Sequence, residues 1–72
     1  MTNTKLLEEA IEKSGFKKSY IAKKIGITRY CLMRKIRNDN EFKASEIGAL
    51  CKLLKITDAA EMERIFFAHK VE

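Results

Sequence analysis

Apolar residues along this chain follow a helical spacing that glycines and polar turns interrupt at short intervals. In the first segment they recur three and four residues apart, at Leu6, Leu7, Ala10 and Ile11. This spacing places them on one side of a helix. No segment of useful length shows the alternation of apolar and polar residues that a half-buried strand requires. Because the helical spacing returns in four later segments, the pattern predicts an all-α fold with five helices.

The chain contains no proline, so capping residues and glycines mark the predicted helix boundaries. Polar side chains that can accept a hydrogen bond from the first helical turn are the predicted N-caps: Thr4, Thr28, Ser45 and either Thr57 or Asp58. Gly15 and Gly26 are the predicted left-handed terminators. The predicted helices cover about residues 4–14, 17–24 and 29–37, a fourth follows residue 45, and a fifth reaches residue 66. Residues 38–40 are predicted to form a turn.

The length of 72 residues limits the chain to one small domain, predicted over residues 1–72. A domain of this size buries only about 60% of the surface that its unfolded chain exposes. An enclosed catalytic cleft is therefore not expected, and no nucleophile with a base, metal site or cofactor-binding loop is indicated. His69 has no second metal ligand at a suitable spacing and is predicted to be a surface residue.

The two cysteines, Cys31 and Cys51, fit neither a disulfide scaffold nor a zinc knuckle. They are predicted to be small apolar residues, buried or half-buried, in a reducing compartment. No apolar run approaches the roughly 20 residues that cross a bilayer, and the first residues lack the pattern of an export signal. The predicted location is the cytoplasm, with no membrane partner.

Positive charge is concentrated in the middle of the chain. Residues 13–43 carry a net charge of +8, with ten basic residues against Asp39 and Glu41, while the rest of the chain carries −3. This distribution is typical of a polyanion-binding domain, because lysines and arginines that neutralise phosphates release counterions. The alternative is a basic surface that only keeps the protein soluble.

The second and third predicted helices are short, and a turn of about three residues containing Gly26 joins them. Two such helices, packed against further helices, predict a helix-turn-helix at about residues 17–37. Ala22 is small where the two helices approach each other, and Gly26 can adopt the positive φ of a tight turn. The apolar residues predicted to anchor both helices in the core are Ile21, Ile25, Ile27 and Leu32.

One side of the third helix is predicted to face solvent. At about 100° per residue, Leu32 and Ile36 lie about 40° apart and mark the buried side. The outward side carries Tyr30, Met33, Arg34 and Arg37, with Arg29 at its flank. An arginine can donate two hydrogen bonds to guanine, and a tyrosine can contact a thymine methyl group or a phosphate. The pattern therefore predicts a helix that reads the major groove of double-stranded DNA.

Residues 19–32, S-Y-I-A-K-K-I-G-I-T-R-Y-C-L, resemble the helix-turn-helix of Cro and repressor type (XRE-like) regulators of temperate bacteriophages and their bacterial relatives. R-K-I-R-N at 34–38, Phe42, E-I at 46–47 and I-F-F at 65–67 resemble small early regulators of Gram-positive phages. These regulators include the modulator-of-repression (antirepressor) proteins of temperate lactococcal phages. The resemblance implies a five-helix, lambda-repressor-like domain that acts in the lysis-lysogeny switch inside a bacterial host cell.

The resemblance also implies a set of DNA contacts. Lys18 would bind a backbone phosphate, and the DNA-facing positions would be Thr28, Arg29, Tyr30 and Arg34. The other predicted DNA-binding residues are Lys17, Met33, Arg37, Asn38 and Lys43. The family usually has an apolar residue three positions after Leu32, where this chain has Lys35 followed by Ile36. The third helix is therefore expected to be slightly rotated.

A second interpretation gives the chain a protein partner. Ile65, Phe66 and Phe67 are consecutive on a helix and span about 200° of arc, so at least one is predicted to be exposed. The alternatives for this surface are a cover formed by the C-terminal residues, a homodimer seam, or a docking site for a phage repressor. A pure antirepressor would bind its repressor tightly and DNA feebly, whereas an operator-binding protein would lose affinity steeply with salt. Half-sites of a dimer would lie about 34 Å apart.

Overall fold

The computed structural model describes residues 1–68 and is all-α in that range, with no strand, which confirms the predicted fold class. The five helices are α1 (Thr4–Ser14), α2 (Lys18–Ile25), α3 (Arg29–Ile36), α4 (Ala44–Leu53) and α5 (Ala59–Phe66). None of them is long and apolar enough to cross a membrane. The surface position predicted for His69 lies outside the described residues.

The core is formed by the apolar side of every helix. Its fully buried side chains are Leu7, Ile21, Leu32, Ile36 and Leu50. Ile65 and Phe66 add the contribution of α5. α1 packs against α3 and α5, while α2 packs against α3 and α4. α2 and α3 each bury one side in this core. The opposite side of each helix is therefore turned toward solvent.

The glycines end their helices as predicted. Gly15 and Gly26 have φ angles of 74° and 86°, a region that other residues rarely adopt. At Gly26 the chain closes on α2, because the N–H groups of Gly26 and Ile27 both donate to the carbonyl oxygen of Ala22 at 3.0 Å. This is the pattern that typically ends a helix at a glycine.

Three of the predicted N-caps are confirmed or corrected by side-chain hydrogen bonds. Oγ1 of Thr28 accepts from the N–H of Cys31 at 3.0 Å, so Thr28 caps α3 as predicted. Asp58, rather than Thr57, caps α5. The prediction for α1 was wrong by one residue: Asn3 is the N-cap. Thr4 instead uses its hydroxyl to donate to a carbonyl oxygen at the end of α3, a long-range contact that competes with capping.

The N-cap predicted for α4 was also wrong. The helix begins at Ala44, so Lys43 takes the N-cap position and Ser45 lies inside the first turn. Oε1 of Glu46 accepts from the backbone N–H of Lys43 at 2.9 Å. A glutamate at the third helical position can thus hold the start of a helix without a polar N-cap side chain.

Candidate nucleic-acid interface

The turn between α2 and α3 brings the two helices close together. Ala22 in α2 is 2% exposed, so a larger side chain at this position would have to displace its neighbours in the core. Ile21 of α2 and Leu32 of α3 are fully buried, while Ile25 and Ile27 are partly buried against the same core. The residues predicted to anchor the helix-turn-helix are therefore all in contact with the core.

The outward side of α3 is cationic and aromatic. Tyr30 is 68% exposed, the most exposed of the large apolar side chains in residues 1–68. The guanidinium of Arg34 lies 5.9 Å from the centre of the Tyr30 ring, within the range of a cation–π contact. Arg29 and Arg37 are exposed, and Met33 is half-buried between the two sides. Arg34, like Met33, is half-buried. Tyr30, Arg29 and Arg37 are thus open to a ligand, while Arg34 and Met33 are partly accessible.

Arg37 lies at the C-terminal end of this surface and is partly neutralised. Its guanidinium nitrogen Nη2 is 3.2 Å from a carboxylate oxygen of Asp39, and both side chains are exposed. An exposed pair of this kind contributes little to stability and is readily exchanged for another anion. Arg37 is therefore free to exchange Asp39 for a phosphate.

The two lysines at the start of α2 differ in their surroundings. Lys17 is exposed and takes the N-cap position without a side-chain hydrogen bond to the helix. Lys18 is half-buried, and its Nζ lies 3.0 Å from both carboxylate oxygens of Glu8 in α1. The lysine that the resemblance assigns to a phosphate thus has an anionic partner within the chain. The sequence pattern did not predict this ion pair with Glu8.

Asn38 has a structural role that the sequence pattern did not indicate. Its backbone is left-handed, with φ of 68°, and it follows Arg37, the C-cap residue of α3. Its side-chain amide accepts from the N–H of Thr2 at 2.8 Å and donates to the carbonyl oxygen of Thr2 at 2.7 Å. Because both ends of the amide are bound to the N-terminal segment, a phosphate contact would have to compete with this tether.

Lys35 replaces the apolar residue that the resemblance leads one to expect in α3. It is buried, and its Nζ lies 2.5 Å from Oε1 of Glu46 in α4. Burial alone would raise the pKa of Glu46, but the hydrogen bonds from Lys35 and from the backbone of Lys43, with the positive charges of both lysines, lower it below its ordinary value. Glu46 is therefore a carboxylate, and Lys35 is held toward α4 rather than toward solvent. The side chain of Lys43 is exposed at the start of α4.

The three apolar residues at the end of the fifth helix separate into core and surface. Ile65 and Phe66 are each 3% exposed, and the Phe66 ring meets Phe42 edge to face with the ring centres 5.7 Å apart. These two residues cannot form a docking surface without leaving the core, which corrects that part of the expectation. Phe67 is 46% exposed and lines a shallow groove between α1 and α5, together with Leu6 and Ala60.

An exposed aromatic pair, formed by the residue two positions before α2 and one residue of α2, was missed. Phe16 and Tyr20 are 37% and 42% exposed, with ring centres 5.0 Å apart, and Nζ of Lys24 lies 5.6 Å from the centre of the Tyr20 ring. Helical spacing gives no signal for this pair, because Phe16 lies in the loop before α2. With Lys24, the pair forms a second group of cationic and aromatic side chains outside α3.

The remaining chemistry of the described residues is sparse. No group of three or more histidines, cysteines or carboxylates that could hold a metal ion occurs in residues 1–68. Both cysteines are half-buried. Burial, and then the negative charge of Glu61, raise the pKa of the Cys51 thiol, so this thiol stays protonated and is a poor nucleophile.

Comparison with known families gives one match. A family model described as bacterial regulatory protein, Fis family, matches residues 3–38, which is half of the chain. The matched segment begins at the N-cap of α1 and ends at the left-handed residue after α3, so it contains the helix-turn-helix completely. No curated protein and no solved structure matches the chain.

Proposed function

The chain belongs to the Fis family of bacterial regulatory proteins and carries a helix-turn-helix DNA-binding domain, and on this premise we propose that it binds operator DNA in the lysis-lysogeny switch of a temperate phage. The observation that carries the proposal is the outward side of α3, where the exposed ring of Tyr30 lies beside the half-buried side chain of Arg34. In the major groove, Arg29, Tyr30 and Arg34 read base edges, and Thr28 and Met33 lie beside them. The phage setting is supported by the resemblance of residues 34–38, Phe42, 46–47 and 65–67 to early phage regulators.

Phosphate contacts set the position of the domain on DNA. Lys17 and Lys43 have no carboxylate partner within residues 1–68 and bind phosphates directly, while Lys18 and Arg37 exchange their carboxylate partners for phosphates. About four phosphate contacts correspond to a loss of about 10²-fold in affinity between about 50 and 200 mM salt. A steep salt dependence is therefore a quantitative expectation of the proposal.

A second function is supported by the groove beside Phe67. This residue is 46% exposed and lies outside the matched residues 3–38. In the antirepressor alternative, a partner phage repressor docks against this ring and loses its own DNA-binding activity. The same ring on two copies of the chain would form a homodimer seam, and the operator half-sites would then lie about 34 Å apart.

One titration separates the two functions. The purified protein is titrated against the intergenic DNA that it shares with the neighbouring repressor gene, and against a scrambled duplex, at about 50, 100 and 200 mM salt. The series is repeated with the repressor present. Operator binding predicts preference for the intergenic duplex and a steep salt slope without the repressor. Equal and feeble binding to both duplexes, with tight association with the repressor, contradicts the first function and supports the second.

A further inference from the structure

The ion pair between Lys35 and Glu46 lies in the interior, at a position where small domains usually have apolar side chains. The two side chains are 11% and 8% exposed, and the pair joins the buried side of α3 to the first turn of α4. Removing two charges from water is costly, and apolar residues of similar volume often stabilise such a position better. The cost suggests a role other than stability.

The carboxylate of Glu46 is held from two directions. It accepts from Nζ of Lys35 and from the backbone N–H of Lys43, the N-cap residue of α4. The hydrogen bond from Lys43 fixes the carboxylate to the first turn of α4. The hydrogen bond from Lys35 therefore holds Lys35 at a defined place relative to α4. The apolar contacts of Leu32 and Ile36 with the core hold α3 in place but are not directional.

Lys35 is well placed to control the rotation of α3 about its axis. At about 100° per residue it lies about 60° from Leu32, at one edge of the buried side, and about 100° from Arg34. Without the ion pair, α3 can rotate slightly while Leu32 and Ile36 remain buried. A rotation of about 10° moves groups about 6 Å from the axis by about 1 Å. That distance is enough to break a bidentate hydrogen bond to a base.

We propose that the Lys35–Glu46 ion pair is a positioning device that sets the rotation of α3, and that it thereby determines which bases Tyr30 and Arg34 reach. The inference rests on the proposed function, since it names the control of base selection at the same surface. Neither residue of the pair touches DNA. Both act through α3.

The test uses the double variant Lys35→Met/Glu46→Gln. Methionine and glutamine match the shapes of the original side chains, and Oε1 of the glutamine can still accept from the N–H of Lys43. The variant therefore removes the ion pair while keeping the start of α4. Lys52→Met/Glu9→Gln is the matched control, because it makes the same chemical changes at two exposed positions.

Two measurements are made on the full chain and both variants. The first is the ratio of affinities for the best duplex, selected from randomised DNA by the wild type, and for a scrambled duplex. The second is the rotation of α3 in free protein, read from the phase of residual dipolar couplings along the helix. For Lys35→Met/Glu46→Gln we expect the ratio to fall about ten-fold or more, the affinity for the scrambled duplex to stay within about two-fold, and the rotation to change by about 10° or more.

An unchanged rotation of α3 overturns the inference, whether or not the protein binds DNA. An unchanged affinity ratio with a changed rotation also overturns it, since rotation then has no effect on base selection. If the wild type does not discriminate between duplexes, the proposed function fails by that result, while the dipolar couplings still decide whether the pair sets the rotation. Both double variants remove one positive and one negative charge and leave the net charge unchanged. An equal effect of the control variant would therefore assign the change to the loss of any such lysine and glutamate, and would refute the role of the pair.

Discussion

Nζ of Lys18, at the start of α2, lies 3.0 Å from both carboxylate oxygens of Glu8 in α1. The pair spans ten positions of sequence and crosses the junction between two helices. Lys18 is the residue that the resemblance assigns to a phosphate. In the proposed complex, a phosphate must therefore displace Glu8 from the ammonium group of Lys18 or share that group with it. Glu8 is thus expected to weaken DNA binding.

Replacing Glu8 with glutamine is expected to increase DNA affinity. The change removes a carboxylate next to a phosphate-binding lysine, and an exposed ion pair contributes about 0.2–1 kcal/mol. The affinity for any duplex should rise about two- to five-fold at low salt, as measured by fluorescence anisotropy. Glu9→Gln is the control, because Glu9 is exposed and makes no ion pair within residues 1–68. Equal gains from both variants would show that only net charge matters.

Arg34 is expected to contribute base selectivity. Arg34→Ala removes a guanidinium that can bind guanine at two points and should cost about 1–3 kcal/mol of discrimination between the selected and the scrambled duplex. Arg34→Lys keeps the charge but not the planar pair of donors, so it should lose selectivity while keeping most of its affinity for the scrambled duplex. Lys18→Ala should instead weaken binding to all sequences alike. A uniform loss from both alanine variants would refute this division of roles.

The parts of this fold that follow from the sequence are those with local causes. Gly26 ends α2 because the turn requires positive φ, and Thr28 caps α3 through a hydrogen bond to a residue three positions later. Such effects act within one helical turn and can be read from spacing. The outward side of α3 follows from the positions of Leu32 and Ile36 in the same way.

The parts that sequence reasoning missed depend on contacts between distant residues. Asn38 binds Thr2 across 36 positions, and Lys35 binds Glu46 across 11 positions and a change of helix. A turn residue and a lysine at the edge of a helix give no local sign of such partners. Phe67 is a second example of what the sequence alone could not decide. Three consecutive apolar residues on a helix predicted that at least one is exposed, but only the packing of α5 shows that it is Phe67.

Asn38 is expected to stabilise the domain through its tether to Thr2. Asn38→Ala removes two hydrogen bonds to the backbone of Thr2. It also places an alanine at a φ of 68°, a left-handed conformation that asparagine tolerates better than alanine. Each hydrogen bond contributes about 0.5–1.5 kcal/mol, and the left-handed backbone costs alanine about 1 kcal/mol. Thermal unfolding should therefore give a Tm lower by about 10 °C or more, at about 4–8 °C per kcal/mol.

Two companion variants separate the causes of that loss. Asn38→Gly keeps the left-handed backbone at no steric cost and loses only the hydrogen bonds, so its Tm should lie between those of the wild type and Asn38→Ala. Asn40→Ala changes an exposed asparagine in the same turn and should leave the Tm nearly unchanged. If Asn38→Ala unfolds at the wild-type temperature, the tether has no energetic role.

Glu46 is expected to make the stability depend on pH. Burial opposes its charge, but Lys35 and Lys43 outweigh burial, so its pKa is lowered in the folded chain from an ordinary value of 4.5. The unfolded chain then binds a proton at a pH where the folded chain does not. The stabilisation is complete above the unfolded pKa and is lost as the pH falls through the folded pKa.

Urea denaturation between about pH 3 and 7 tests this expectation. The difference in free energy of unfolding between the wild type and Glu46→Gln should be largest above about pH 5 and should shrink below about pH 4.5. Glu9→Gln, at an exposed position, should give a difference that hardly changes with pH. A constant difference for Glu46→Gln would show that the carboxylate contributes no pH-dependent stability.

Phe66 and Phe67 are adjacent, but their replacement should have opposite consequences. Phe66→Ala removes a ring that is 3% exposed and packs against Phe42, so it should cost about 3–5 kcal/mol of stability. Phe67→Ala removes a ring that is 46% exposed and should cost less than about 1 kcal/mol.

If the antirepressor alternative holds, Phe67→Ala should nonetheless weaken association with the repressor about ten-fold or more in calorimetric titration, because aromatic anchors dominate such interfaces. Phe16→Ala is the matched control, since Phe16 is similarly exposed at 37% but precedes α2. Wild-type association by Phe67→Ala, or an equal loss from Phe16→Ala, would exclude the ring of Phe67 as the docking site.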